Sequence, residues 1–341
     1  MKGQQANYNY GIALLKIIMC YEVVFLHYSG ADYGKCAAIN IPLALHAAPM
    51  FFLIAFFYSE KWVVAGDVQK FLLRIKKLLI PYVAWTIIYY IVLKLLYFFS
   101  GSEQILEYRE LVYAFLFGHS LKLDSVLWFQ WDLIIITALL FLLFKCCRNT
   151  KAGYGVLVII SGIAIAMQYT GINYNFFSQL PTEMAYPLGR LAEMLPYATI
   201  GMLLSRNLRK LEFNNYVAVA FIIIAGTIIY VNPLSPPIGF AYAGLDKMVV
   251  CVLLFIGFYY FKLDALNGGV RRFIKLISQY TMGIYCAHLL VGEVCVRANG
   301  VVGILQTSFT MSLEIFIGAW VVCLILEHLG KNVPGMNYLI K

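Results

Sequence analysis

The chain has 341 residues, of which 62% are hydrophobic and 13% charged. Soluble domains are closer to half apolar and a quarter charged, so these proportions exclude an ordinary soluble fold and point to a membrane. The net charge of +9 does not signal nucleic-acid binding, because Lys and Arg fall in alternate loops, as the positive-inside rule expects.

Ten apolar stretches of roughly 16 to 22 residues follow one another, near the length a bilayer requires. In chain order they are Gly11–Tyr28, Ile41–Tyr58, Leu78–Phe99, Val126–Phe144, Tyr154–Thr170, Pro187–Leu204, Tyr216–Val231, Asp246–Phe261, Ser278–Val296 and Phe309–Glu327. The first carries Lys16 and Glu22 and lacks a small-residue cleavage site, so it reads as a span and not as a signal peptide. Eighteen Lys and Arg residues gather on one side of these stretches and four on the other. The prediction is an all-α integral membrane protein, one domain over residues 1–341, with about ten transmembrane helices and both termini cytoplasmic. Its place is a membrane, in contact with lipid, and no feature specifies an oligomeric state. The eight cysteines show no disulfide framework, and no spacing resembles a metal site.

Lys16 and His27 lie eleven residues apart in the first span. Eleven steps bring a helix back to within about 20° of its start, so the two side chains share a face about 16 Å apart. Ionisable groups are costly inside a bilayer and usually mark a site or a pathway. Most others fall in the outer halves of the spans: His46, Asp132, Arg190, Glu193, Asp246, Lys247, Glu293, Arg297 and Glu314. They outline either a polar cavity open to the outside or a set of structural ion pairs. Arg190 with Glu193, three apart, and Glu293 with Arg297, four apart, are the expected pairs. On the inner side Arg74 and Lys77 share a face. They could hold a phosphorylated cytoplasmic donor or anchor to anionic lipid. The outer segments Ser100–Ser125, with Glu103, His119 and Asp124, and Gly171–Tyr186, with Asn173 and Asn175, read as a substrate rim or as plain connections. So does the Pro-rich Asn232–Gly239.

These residues converge on a family. The chain resembles the acyltransferase-3 family, bacterial membrane acyltransferases that modify surface polysaccharides. Span 1 has the family's basic residue, ten intervening residues and His, here Lys16 and His27 in KIIMCYEVVFLH. Span 2 contains APMFFLIAFFY. Span 3 opens with an Arg-x-x-Arg-like pair, Arg74 and Lys77, followed by Pro81. Span 4 opens with Leu127, Trp128 and Phe129, span 6 ends in Gly201 to Leu204, and span 9 carries YTMGIYCAH with Thr281, Gly283, Tyr285 and His288. The chain departs from the pattern in four respects: Lys16 replaces Arg, Lys77 replaces Arg, Ala55-Phe56 replaces a common Ser-Gly, and the acidic residue that often precedes the first-span Arg is absent.

The resemblance implies transfer of a short acyl group, acetyl first among them, from acyl-coenzyme A (acetyl-CoA) to a hydroxyl of a surface glycan or its lipid-linked saccharide precursor, with no metal. Arg74 and Lys77 would bind the donor's phosphates, and its arm would run outward past Lys16 to His27, the general base. Tyr285 and His288 would line the donor path, His288 being equally readable as a core histidine. Trp128, Asp132 and Glu193 would serve the acceptor side. Asp132 or Glu193 could orient the imidazole of His27, since Glu22 lies about 140° round the helix. The rival class is a transporter or flippase, which would move its cargo chemically unchanged. A sensory or scaffold module would leave Lys16 and His27 without a purpose.

Overall fold

The computed structural model describes residues 8–28, 42–99, 107–118, 126–147, 149–170, 179–180, 182–208, 210–231, 242, 244–263, 266–302, 307–332 and 336–340. Glu103, His119, Asp124, Asn173, Asn175 and the Asn232–Gly239 segment lie outside them. Among the described residues every regular element is helical. In order they are α1 (Tyr10–Tyr28), α2 (Ala47–Val64), α3 (Val68–Phe99), α4 (Tyr108–Phe117), α5 (Trp128–Cys146), α6 (Thr150–Tyr169) and α7 (Thr182–Leu208). They continue with α8 (Asn215–Val231), α9 (Leu245–Tyr260), α10 (Gly268–Gln279), α11 (Thr281–Val302) and α12 (Ser308–Gly330), and a 3-10 turn at Met336–Leu339.

Each of the ten apolar stretches coincides with one of these helices. Two more, α4 and α10, escaped the hydropathy reading because they are short and, in the case of α10, basic on one face. Among the described residues, six helical runs are long and apolar enough to cross a membrane: Tyr10–Tyr28, Pro42–Val64, Val68–Phe99, Trp128–Cys146, Thr150–Tyr169 and Ser308–Gly330. The other four are shorter, at 17 and 16 residues for α8 and α9, or more polar. α7 contains Arg190, Glu193, Pro187 and Pro196, and α11 contains Glu293 and Arg297.

Local chemistry sets the helix ends. Asn149 and Asn267 accept from the backbone N–H groups of Lys151 and Gly269, each at 2.9 Å, and so cap α6 and α10. α4 stops at Gly118, whose φ of 66° is a left-handed conformation that favours glycine. With 32 residues, α3 is about 48 Å long, well beyond an apolar core of about 30 Å. Its excess is the first turns, which carry Lys70, Arg74, Lys76 and Lys77.

Burial orders the bundle. The Pro42–Val64 run has 67% of its apolar window inside the protein, against 28% for Thr150–Tyr169 and for Ser308–Gly330. Helix α2 is therefore central, while α6 and α12 present apolar faces outward. Two glycines allow close approaches between helices. A Cβ on Gly201 of α7 would stand 2.4 Å from the Leu53 carbonyl oxygen of α2. One on Gly283 of α11 would stand 2.7 Å from Cys323 Sγ of α12 and 3.0 Å from Ile340 Cα.

Helices α1 and α11 run parallel and in register. Lys16 Nζ donates to the Ser278 carbonyl at 3.0 Å, at the junction of α10 and α11. Cys20 Sγ donates to the Thr281 carbonyl at 3.4 Å, and the Tyr28 hydroxyl to the Leu289 carbonyl at 3.1 Å. The sequence separations are 262, 261 and 261. The Lys16–His27 stripe therefore faces α11 along its length.

Candidate active site

A cavity of about 490 Å³ opens between α1, α2, α3, α5 and the start of α11. Lys16, Arg74 and Lys77 supply its charge, and no Asp or Glu lines it among the described residues. Phe51, Ile54, Phe129, Leu133 and Met282 give it apolar walls, with Tyr58, Ser59, Trp62 and Gln279 as polar or amphipathic contributors. Arg74 Nε is buried and has no hydrogen-bond partner among the described residues. Three cations without a carboxylate, beside a greasy wall, suit a ligand that is anionic at one end and apolar at the other. Lys16 belongs to this cavity and is also tied to the Ser278 carbonyl, where the exposed carbonyls of a helix C-terminus favour a cation. Ala55, one of the departures from the family pattern, lines the cavity, whereas Phe56 is packed in the core.

Tyr285 closes the far end. Its hydroxyl donates to the Val126 carbonyl at 2.6 Å, and its ring lies 5.1 Å from Phe129 and 5.9 Å from His288, centre to centre. His288 stands behind Tyr285 and is not part of the cavity lining. Its ring lies instead 5.3 Å from that of His27. His27 is exposed at the end of α1, and His288 is fully buried. Thr281, Tyr285 and His288, at spacings of four and three, form one stripe of α11. That stripe runs from the cationic cavity to the histidine pair.

A second polar group lies between α5 and α7. Arg190 Nε is 3.6 Å from Asp132 Oδ2, with both side chains buried. The sequence favoured Glu193 as the partner of Arg190; the contact across the helices is made by Asp132 instead, because α5 and α7 pack against each other. The expected Glu293–Arg297 pair does form, at 3.4 Å. The Arg190 guanidinium lies 4.7 Å from the ring centres of Trp128 and of Tyr186. Trp128 in turn lies 5.6 Å from Tyr242. Glu193 is buried with both carboxylate oxygens lacking hydrogen-bond partners among the described residues. Asp132, engaged with Arg190, is a poor orienter for His27. Trp128, Asp132 and Glu193 are thus brought together, and Arg190 joins them.

Sequence reasoning missed the contribution of α2 to the cavity. Phe51, Ala55, Tyr58 and Trp62 recur at helical spacing, so the signal was present, but it merged with the apolar run around it.

The fold and site define a helical membrane protein with an amphipathic, cationic cavity. The family described as an acyltransferase domain matches residues 9–328. The chain belongs to this acyltransferase-3 family, and it is a multi-pass membrane acyltransferase by that membership. No curated protein and no solved structure matches it.

Proposed function

We propose that the protein is an O-acyltransferase that takes a short acyl group, acetyl first among them, from cytoplasmic acyl-coenzyme A. It delivers the group to a hydroxyl of an extracytoplasmic surface polysaccharide or its lipid-linked precursor. In this reading ten helices span the bacterial cytoplasmic membrane, both termini are cytoplasmic, and the Arg74–Lys77 end of the cavity faces the cytoplasm. One observation carries the reading. A cavity that, among the described residues, has three cations and no acid is joined, through the Thr281–Tyr285–His288 stripe of α11, to a histidine at the opposite end of α1.

Arg74 and Lys77 hold the donor's phosphates, and Lys16 adds a third positive charge deeper in the cavity. The apolar wall receives the uncharged arm. At the outer end, the neutral imidazole of His27 takes the proton of the acceptor hydroxyl as its oxygen attacks the thioester carbonyl. Imidazole suits this step because its ordinary pKa lies near neutrality. The C–O bond forms, the C–S bond breaks, and the departing thiolate receives the proton from His27. Trp128 offers a stacking face to the sugar ring, and Glu193 and Asp132 offer acceptors to its hydroxyls.

The test uses inside-out membrane vesicles from the native host, carrying the protein or its His27→Ala variant, and radiolabelled acetyl-CoA. Label entering a glycan fraction only with the unaltered protein is the expected result. Equal incorporation by the variant would remove His27 from its role. Cargo carried across chemically unchanged, with no ester formed, would favour a transporter.

A further inference from the structure

Helix α10 carries positive charge that lies outside the donor cavity. Its sequence, GGVRRFIKLISQ, holds Arg271, Arg272 and Lys275 and neither Asp nor Glu. Among the described residues no carboxylate pairs with any of the three. The Arg271 guanidinium lies 5.9 Å from the ring centre of Tyr10, and Lys275 Nζ 5.4 Å from that of Tyr8. Tyr8 and Tyr10 stand at the start of α1. The cations are therefore level with the first turn of a helix long and apolar enough to cross a membrane.

The other edge of α10 is apolar and uncovered. Val270, Phe273 and Leu276 are 44%, 53% and 39% exposed, whereas Ile274 and Ile277 are buried against the bundle. At 100° per residue, Phe273 points about 160° away from both Arg271 and Lys275. Its ring meets that of Trp320 of α12 edge-on, 5.9 Å between centres. On α12, the end beside α10 is marked by Glu327, which accepts from the Tyr280 hydroxyl. Trp320 lies seven residues back from Glu327, about 10 Å along the helix. Phe273 thus reaches the level of the apolar stretch of α12, where Ile317, Val321 and Ile325 are themselves exposed.

We infer that α10 is an interfacial helix that binds acidic phospholipid, in the leaflet on the Arg74–Lys77 side of the bundle. Arg271, Arg272 and Lys275 take the phosphate headgroups, and Phe273 and Leu276 sit among the acyl chains. Both edges are needed to select this partner. A zwitterionic lipid would cover the apolar edge without balancing three cations. A soluble polyanion would balance the cations and leave the apolar edge uncovered. The last turn of α10 supplies the Ser278 carbonyl that holds Lys16 at 3.0 Å, and Gln279 beside it lines the donor cavity. Lipid held by α10 therefore borders the cavity rim.

The test needs neither donor nor acceptor. Purified full-length protein is reconstituted in phosphatidylcholine vesicles with a trace of phosphatidylglycerol that bears a photoreactive group beside its glycerol. Adducts are mapped by peptide mass spectrometry. One variant combines Arg271→Gln, Arg272→Gln and Lys275→Gln. A control combines Lys61→Gln, Lys145→Gln and Lys151→Gln, removing the same charge from exposed positions on other elements. In the unaltered protein the adduct should fall on α10 and be displaced by unlabelled phosphatidylglycerol but not by phosphatidylcholine. A basic side chain near an anionic surface contributes about a fivefold preference, so the α10 variant should lose about fivefold or more of this adduct. The control should keep it. Arg271→Lys with Arg272→Lys should also keep it, because charge sets the attraction. Equal labelling of α10 by a phosphatidylcholine probe, or adducts confined to other helices, would overturn the inference. So would an unchanged adduct in the α10 variant, equal loss in the control, or equal loss in the lysine variant. Failure of acyl transfer in a separate assay would leave these outcomes untouched.

Discussion

Replacing Arg74 by Met removes a charge from the cavity while leaving an apolar stem of similar length. The structure sets the size of the effect. Arg74 is half-buried, and among the described residues its Nε lacks a partner and no acid lines the cavity. Its guanidinium is therefore available to an anionic ligand without first breaking an ion pair. A hydrogen bond to a charged group contributes about 1.5–3 kcal/mol. The cavity mouth is wet and Lys77 keeps part of the field, so about 2 kcal/mol is the appropriate figure. At 1.4 kcal/mol per factor of ten, the donor KM should rise roughly thirtyfold, with kcat little changed. The assay compares acetyl-CoA with an acetyl thioester of pantetheine that lacks phosphates. In the parent protein the two KM values should differ widely; in Arg74→Met the gap should shrink by about the same thirtyfold. An equal rise for both donors, or no change in their ratio, would refute the assignment of Arg74 to phosphate.

Other consequences follow from packing and from the buried charges. A Cβ at residue 201 would meet backbone atoms of α2, so Gly201→Ala should separate α2 from α7. The loss should be about 1–3 kcal/mol, visible as a lowered thermal midpoint in detergent. Gly226→Ala, where nothing lies within 4 Å, should leave the midpoint unchanged or raised. Asp132→Leu strands the Arg190 guanidinium and should destabilise by about 3–5 kcal/mol. The double variant Asp132→Leu with Arg190→Leu should regain much of that loss in a thermal-melt cycle. If the two losses simply add, the pair is not coupled. Lys16→Met removes both a cavity charge and the bond to the Ser278 carbonyl, so it should raise the donor KM and lower the thermal midpoint together. Lys16→Arg should spare the KM more than the midpoint, because it keeps the charge with a different donor geometry.

How much of this was legible in the sequence depends on the kind of signal. The apolar helices could be read because bilayer burial demands long apolar runs, and the shared face of Lys16 and His27 because helical periodicity is rigid enough to carry phase over three turns. The grouping of Lys16, Arg74, Lys77 and Tyr285 around one cavity was legible only through the family resemblance, since it joins three helices. Pairing across helices was less visible. Arg190 has a carboxylate three residues away on its own helix, yet it pairs with Asp132 on α5. Which neighbour wins is a question of helix rotation, and that is set by close approaches such as Gly201 against Leu53. The contact of His27 with His288 was hidden for the same reason: 261 residues separate them, and only the parallel register of α1 and α11 brings them together. Helix α10 was overlooked because an amphipathic helix lacks the continuous apolar run of a span.

The central claim is that the donor enters at one end of α1 and the ester forms at the other. Sidedness tests it most directly. Acetyl-CoA, which does not cross membranes, would be offered to sealed inside-out and right-side-out vesicles, with the labelled ester located by an impermeant esterase. The account predicts labelling only when the donor meets the face that bears Arg74 and Lys77, with the ester accessible to the esterase only from the opposite face. Labelling from either face alike, or an ester exposed on the donor's own side, would contradict it.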